Sequence, residues 1–405
     1  VSATDRSRVV SAAADALQRT QHPGLEHAIE SLRRVALLDH GADAERCLAW
    51  VMRWQQFTGP VMAKGFEDTA LYCHNALLAA NDVGSDPANP CMSPSELAAG
   101  LLRRRSASAL SLNATATHDT KRGEDTRARI AVLSEMAEEW RRRLRRWMRE
   151  GDDWKNDVAE EEETVAPSAD VQSLLYQTLL GAWPLRDVDG AFRDRIKAYM
   201  KKAVREAKEQ TSWRRPDEDY EQALGGFIER LMAEFGREGV AEDVGAFAGR
   251  LAPHGALNSI AQMLLKVTAP GIPDLYQGTD LWALTLVDPD NRAKVDYDER
   301  RRRLDDIIHV RDTPDGEIAR DLLMSWDDGR IKLLLTALAL RFRATHRDVF
   351  EQGEVIELEA SGSTADHVFA FARRYGDRAC ITVLPRWTTA LGDGASIDAE
   401  IWGDT

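Results

Sequence analysis

Three stretches of this chain share one layout, a short apolar run that stops at a polar loop bearing Gly or Pro. They are "FTGPVMAKGFEDTALYCHNALLAAND" from Phe57, "ATATHDTKRGEDTRARI" from Ala114 and "MLLKVTAPGIPDLYQGTDLW" from Met263. In the first two, a helical pattern follows the loop. A short apolar run is compatible with a buried strand, and strand, loop and helix in that order make a βα unit, whose parallel strands require one another as neighbours. Three strand-loop segments, two of them with a helix following, point to βα units of a parallel sheet or barrel.

Other segments frame these units. "RSRVVSAAADAL" and "LEHAIESLRRVALL" near the N-terminus place apolar residues at three- and four-residue spacing and predict amphipathic helices. Between about residues 136 and 250 the patterns are long, charged and helical, among them "IKAYMKKAVREAKEQTSW" and "ALGGFIERLMAEFGREGV". They read as an inserted helical subdomain. Beyond about residue 350, "HVFAFARRY" and "ACITVLPRW" flank "GDR" and predict a β-hairpin.

At 405 residues and 43% hydrophobic the chain is long enough for two or three structural units. No stretch approaches the ~18 uninterrupted apolar residues of a membrane span, and "VSATDRSRVV" lacks the basic-then-apolar order of a secretory signal. No membrane partner is expected. The net charge of −14 argues against a nucleic-acid partner, whose phosphates call for clustered Lys and Arg. The basic run "RRRLRRW" (Arg141 to Trp147) sits in a helical pattern between acidic segments, so it reads as a helix face with locally balanced charge, the alternative being an anion-binding surface. Cys47, Cys73, Cys91 and Cys380 show neither a CxxC pair nor metal-finger spacing, which suggests reduced thiols and a cytoplasmic protein without metal or cofactor.

The charged loops are the candidates for chemistry, because loops after strand C-termini build the active site of a (β/α)8 barrel. His118 and Asp119 occupy one such junction, with Lys121 and Arg122 beside them; in the plainer reading Asp119 or Thr120 caps the next helix and His118 merely packs. Lys64, Glu67 and Asp68 lie at the corresponding break of the first unit, where acidic residues also suit a first helical turn. "DPDNRAKVDYDE" imitates a calcium loop but has Arg292 at its fifth position and Ala293 where the turn needs Gly. It reads instead as a turn carrying Asp288, Asn291 and Arg292 beside a pocket, or as a purely structural turn. No GxSxG, phosphate-binding loop or dinucleotide fingerprint is present.

Taken together, "QQFTGPVMAKGFEDTALY", "THDTKRGEDTRARIAVLSE", "LYQTLLGAWP", "PGIPDLYQGTDLW" and "LVDPDNR" resemble, in this order, the second half of the maltooligosyltrehalose synthases, a family within the α-amylase superfamily. The resemblance runs from about residue 3 to the end. It implies an α/β fold: part of a (β/α)8 TIM barrel (the later strands), a large helical insertion and a small, truncated C-terminal β-domain. The corresponding division is 1–50 helical, 51–135 barrel βα units, 136–250 helical insertion, 251–345 last barrel unit and following helices, and 346–405 β-domain. The implied reaction converts the reducing-end α-1,4 linkage of a maltooligosaccharide to an α,α-1,1 linkage by intramolecular transglucosylation, through a retaining double displacement. "THDTKR" resembles the seventh-strand motif of the superfamily, so Asp119 is expected to stabilise the oxocarbenium-like transition state and His118 to hold a hydroxyl of the same sugar. Lys64, Glu67, Asp68, Lys121, Arg122, Asp288, Asn291 and Arg292 are expected around the substrate.

Residues 1 to 60 contain no motif resembling the nucleophile or the acid/base of that family. The sequence therefore reads as a C-terminal part of such an enzyme, missing the N-terminal half of the barrel and inactive and marginally soluble alone. A superfamily hydrolase or 4-α-glucanotransferase, and a non-catalytic carbohydrate-binding fragment, are the competing readings.

Overall fold

Ser2 opens the first helix, because its hydroxyl accepts the Asp5 N–H at 3.1 Å while the Asp5 carboxylate accepts the Ser2 N–H at 3.2 Å, a reciprocal cap. The computed structural model describes residues 1–20, 22–39, 43–158, 166–233, 239–308, 316–392, 394 and 399–405. The chain divides into two units, Val1–Thr69 and Ala70–Thr405.

In the first unit, α1 (Ala3–Arg19), α2 (Pro23–Ala36) and α3 (Ala44–Met62) follow one another, and α3 runs on into a π-helical stretch, Ala63–Ala70. "FTGPVM", expected as a strand, is therefore helix with Pro60 inside it. The reason is visible upstream: Trp50, Trp54, Phe57 and Val61 recur at helical spacing, and Trp50 and Trp54 stack at 5.1 Å. A strand there would also need a neighbour for its backbone N–H and C=O groups.

The second unit begins with α4 (Leu71–Cys73) and α5 (Pro94–Ala107), then β1 (Leu112–Ala114), α6 (Glu124–Ala131), α7 (Ala137–Val158), α8 (Ala169–Ala182), α9 (Gly190–Ala207), α10 (Glu218–Ala233) and α11 (Val240–Thr268). It continues through β2 (Ile272–Asp274), α12 (Tyr297–Ile308), α13 (Gly316–Met324), α14 (Arg330–Thr345), α15 (Arg347–Gln352), β3 (Glu354–Leu358), β4 (Val368–Tyr375) and β5 (Arg378–Pro385). β1 and β2 pair in parallel, with Leu112 opposite Ile272. β3, β4 and β5 form an antiparallel sheet in that order, the β4–β5 hairpin running from Val368↔Pro385 to Tyr375↔Arg378.

Among the described residues the chain is thus mostly helical with two small sheets. "MLLKVT", expected as a strand, is the end of α11, and only Ile272–Asp274 beyond it is extended. α11 stops because Pro270 offers no N–H and cations take up its last carbonyls. Arg343 donates to Val267 O at 2.6 Å and to Gly271 O at 2.5 Å, and Arg373 donates to Thr268 O at 3.3 Å. Gly271 sits at φ 123°, and a Cβ there would fall 2.5 Å from Asn113 Oδ1, so the β1–β2 approach needs glycine on both counts.

The main core lies among α6 to α11, around Trp147, Tyr176, Phe227 and Phe247. Trp147 ends the basic run: its ring packs 5.2 Å from Tyr176 and its Nε1 donates to Asp243 at 2.7 Å. Around it Arg141 pairs with Glu138, Arg143 with Glu139 and Arg146 with Glu150, so much of the run is balanced within its own helix. A second cluster joins α5 and α11 to the β3–β5 sheet through Leu101, Phe369 and Phe371. Among the described residues no helix is long and apolar enough to cross a membrane.

Candidate functional site

β1 is short, and its continuation, Thr115 to Arg122, is held in place by bonds to three other segments and by one bond of its own. The Thr115 carbonyl accepts from Arg127, whose other nitrogen pairs with Asp82 at 2.6 Å. Asp82 Oδ1 in turn accepts the Lys121 N–H at 3.0 Å. Thr120 Oγ1 closes the turn on itself, donating to Thr117 O at 2.9 Å. Asn291 Nδ2 donates to Thr117 O at 3.4 Å and to His118 O at 3.3 Å, and Arg292 reaches His118 O at 3.4 Å. With the backbone fixed on all sides, the side chains of His118 and Asp119 are left exposed.

Asp119 does not cap the following helix. The residue at the N-cap of α6 is Gly123, and Thr120 is engaged with Thr117, so both capping assignments are corrected. Gly123 is required there because a Cβ would lie 2.6 Å from the Ala283 carbonyl oxygen.

Lys121 and Arg122, expected around the substrate, are 2% and 1% exposed. Arg122 points inward, donating to Tyr199 Oη at 2.7 Å and to Asn81 O at 3.4 Å. The Tyr199 ring on α9, 5.9 Å from the guanidinium, and the Arg122–Leu286 bridge hold this part of the loop in the interior. Asp288 accepts from Lys202 Nζ at 2.7 Å and lies 3.7 Å from Arg292. Asn291 is buried beside a cavity of about 690 Å³ also lined by Arg195, Trp282, Asp290 and Arg300. A second cavity of about 400 Å³ is bounded by Asp82, Ser85, Thr115, Thr117 and Arg127.

The structure therefore brings His118, Asp119, Lys121, Arg122, Asp288, Asn291 and Arg292 together. Lys64, Glu67 and Asp68 lie in the first unit, within the π-helical stretch rather than at a helix start, and Lys64 pairs with Asp68 at 3.0 Å.

A charge cluster under the loop went unread in the sequence. Glu124, Asp125, Lys266 and Lys332 are each at most 4% exposed. Lys332 Nζ donates to Glu124 Oε1 at 2.9 Å and to Asp125 Oδ1 at 2.8 Å, and Lys266 Nζ donates to Glu124 Oε2 at 3.2 Å. Burial would push Glu124 up, but the charges of Lys332 and Lys266 outweigh it and hold Glu124 at about 2. Burial would likewise push Lys332 down, and the charges of Asp125 and Glu124 overcome it and raise Lys332. For Lys266, burial prevails over Glu124 and lowers it. The signal that was available is a lone lysine in each of two apolar runs, "MLLKVT" and "RIKLLLTALAL". A lysine there demands a buried carboxylate, and "GEDT" supplies two.

No family model matches the chain. A curated protein of Mycobacterium tuberculosis named maltooligosyl trehalose synthase is 34% identical over 343 residues, which cover 84% of this chain and 39% of that protein. The solved structure of maltooligosyltrehalose synthase from Arthrobacter ramosus superposes with a TM-score of 0.75 at 31% identity, over 95% of this chain and 45% of that one. The structure of a hypothetical maltooligosyl trehalose synthase from Sulfolobus tokodaii gives a TM-score of 0.67 at 27% identity, over 88% of this chain and 48% of that one. The chain spans about two fifths of the length of the curated relatives it matches. In sequence and in fold the chain is thus similar to the maltooligosyltrehalose synthases over most of its own length, and over less than half of theirs.

Proposed function

We propose that this chain serves, as part of a longer protein, the conversion of the reducing-end α-1,4 linkage of a maltooligosaccharide to an α,α-1,1 linkage by intramolecular transglucosylation. The observation that carries the reading is the exposed His118–Asp119 pair on a loop immobilised by Asp82, Arg127 and Asn291. A carboxylate fixed before the reaction costs no reorganisation when positive charge develops on the sugar, which is how such a group lowers a barrier. Asp119 is assigned that task, and His118 a hydrogen bond to a hydroxyl of the same sugar. Asp288, Asn291 and Arg292 support the loop and edge the substrate path, while Lys121 and Arg122 act from below it; Lys64, Glu67 and Asp68 belong to the substrate surface in this proposal.

A retaining double displacement also needs a nucleophile and an acid/base flanking the bond. Both are assigned to protein outside this chain, together with the earlier strands of a (β/α)8 barrel whose later strands include β1 and β2. The five-segment division and a cytoplasmic setting belong to the same proposal, the latter supported by four free cysteines. Maltopentaose given to the longer protein tests the reading: a non-reducing product of unchanged mass is expected, and shorter reducing sugars would make the protein a hydrolase or glucanotransferase instead. The 405-residue chain by itself should turn over nothing.

A further inference from the structure

Two segments meet at the His118 carbonyl: the Thr115–Arg122 loop and the 283–292 segment that carries Asn291 and Arg292. Each is tied to a different one of two adjacent buried carboxylates. Glu124 Oε2 accepts from Thr115 Oγ1, and Lys266 Nζ, which bonds the same carboxylate, also donates to Thr115 Oγ1 at 2.7 Å. Asp125 Oδ2 accepts the Ala283 N–H at 2.6 Å, while Ser259 donates to Oδ1. Side by side in a dry site, these two carboxylates repel each other. One group contacts both, the Lys332 ammonium, which is 0% exposed and lies 5.6 Å from the centre of the Trp282 ring.

We infer that Lys332, from a helix 208 positions after Glu124, is a positioning residue that sets the geometry of the substrate loop by holding Glu124 against Thr115 and Asp125 against Ala283 at once. The inference rests on the proposed function only in calling that loop a substrate loop. Arg127 and Asp82 pin the loop from its other side, so Lys332 completes the enclosure rather than supplying all of it. Nothing in this role requires Lys332 to touch sugar.

The test is residue-resolved amide hydrogen exchange on the 405-residue chain without sugar, comparing the native protein with Lys332→Met. Removing one partner of a buried ion pair leaves the others uncompensated, so exchange at Thr117, Lys121, Gly123, Ala283 and Leu286 should accelerate by about tenfold or more. Amides of α9 and α10, around Met200 and Phe227, should keep their native protection. Acceleration everywhere in proportion to the fall in Tm would reduce Lys332 to a general stabiliser and overturn the inference. Should Lys332→Met fail to fold, the double variant Lys332→Met, Asp125→Asn decides, since it removes one charge of each sign. Faster exchange in both segments at a near-native Tm is expected of it, and native protection in both would mean that charge balance alone mattered. The readout uses no substrate, so loss of the positioning role and failure of the maltopentaose assay are separate results.

Discussion

Asp119 in the loop and Glu124 at the start of α6 stand five positions apart and meet opposite surroundings. Asp119 is exposed, and its assigned role concerns charge that appears only in a transition state, so in the active longer protein Asp119→Asn should lower kcat by roughly 100- to 1000-fold with little change in KM. A melt recorded alongside should be nearly unchanged, because the residue caps nothing; near-native turnover would end the assignment. Glu124 is a stability group. Its carboxyl is held at about 2 against an ordinary value of 4.5, and Glu221 is held at about 2 by its hydrogen bonds to Arg205, by Lys201 and by Thr211. Both bind protons more weakly folded than unfolded, so their contribution is complete above pH 4.5 and is lost as pH falls toward 2. Thermal melts from pH 7 to 3 should fall steeply below 4.5, and Glu124→Gln should begin lower at pH 7 and decline less; parallel curves would remove Glu124 from this account. The polar loop after a strand that carries His118 and Asp119 was readable in the sequence, because a short run of small residues stops there at charged ones. Glu124 was not, since its partners are 142 and 208 positions away and nothing local distinguishes a paired carboxylate from a solvated one.

At the scale of elements, α6 is the wedge of the larger unit, packed between α8 and α11 through two glycines. A Cβ on Gly181 would lie 2.6 Å from Ile130 Cγ1, and one on Gly255 would lie 2.8 Å from the Arg129 Cα. The first clash is against side chains, but the second is against backbone. Gly255→Ala should therefore destabilise by about 1–3 kcal/mol and Gly181→Ala by less, as chemical denaturation would show; equal effects would argue against α6 as a rigid wedge. The helices α1, α2 and α9 and the β4–β5 hairpin were legible because each carries its period over eight or more residues. The strands were not. A three-residue strand is too short to show a period, and "FTGPVM" and "MLLKVT" are apolar runs whose helical membership is set by the residues before them. β3, "EVIEL", was missed outright, its place fixed by pairing with β4 from Glu354↔Arg374 to Leu358↔Ala370 rather than by its own alternation.

The whole molecule is uneven in how tightly it is held. In the first unit, α1 and α3 contain no buried residue, and Met52, Phe57, Val61 and Met62 are exposed, whereas the described residues of the second unit form three separate apolar clusters. Limited proteolysis should therefore cut first within Val1–Thr69 and leave a product beginning near Ala70, and early cuts inside α8 to α11 would contradict this. The parallel β1–β2 pair has a different kind of consequence. Asn113 bonds Pro270 across 157 positions, and almost the whole helical core lies inside the loop so closed. Bringing such distant ends together before the intervening helices condense would cost chain entropy that three residue pairs cannot return. The loop bearing His118 and Asp119 extends from that pair, so its shape should be among the last things the refolding chain acquires. In a pulsed-exchange refolding experiment, protection at Ile272 and Lys121 should appear after that of α8 and α11, and the surface assigned to the sugar would take form only once the rest of the molecule has finished folding.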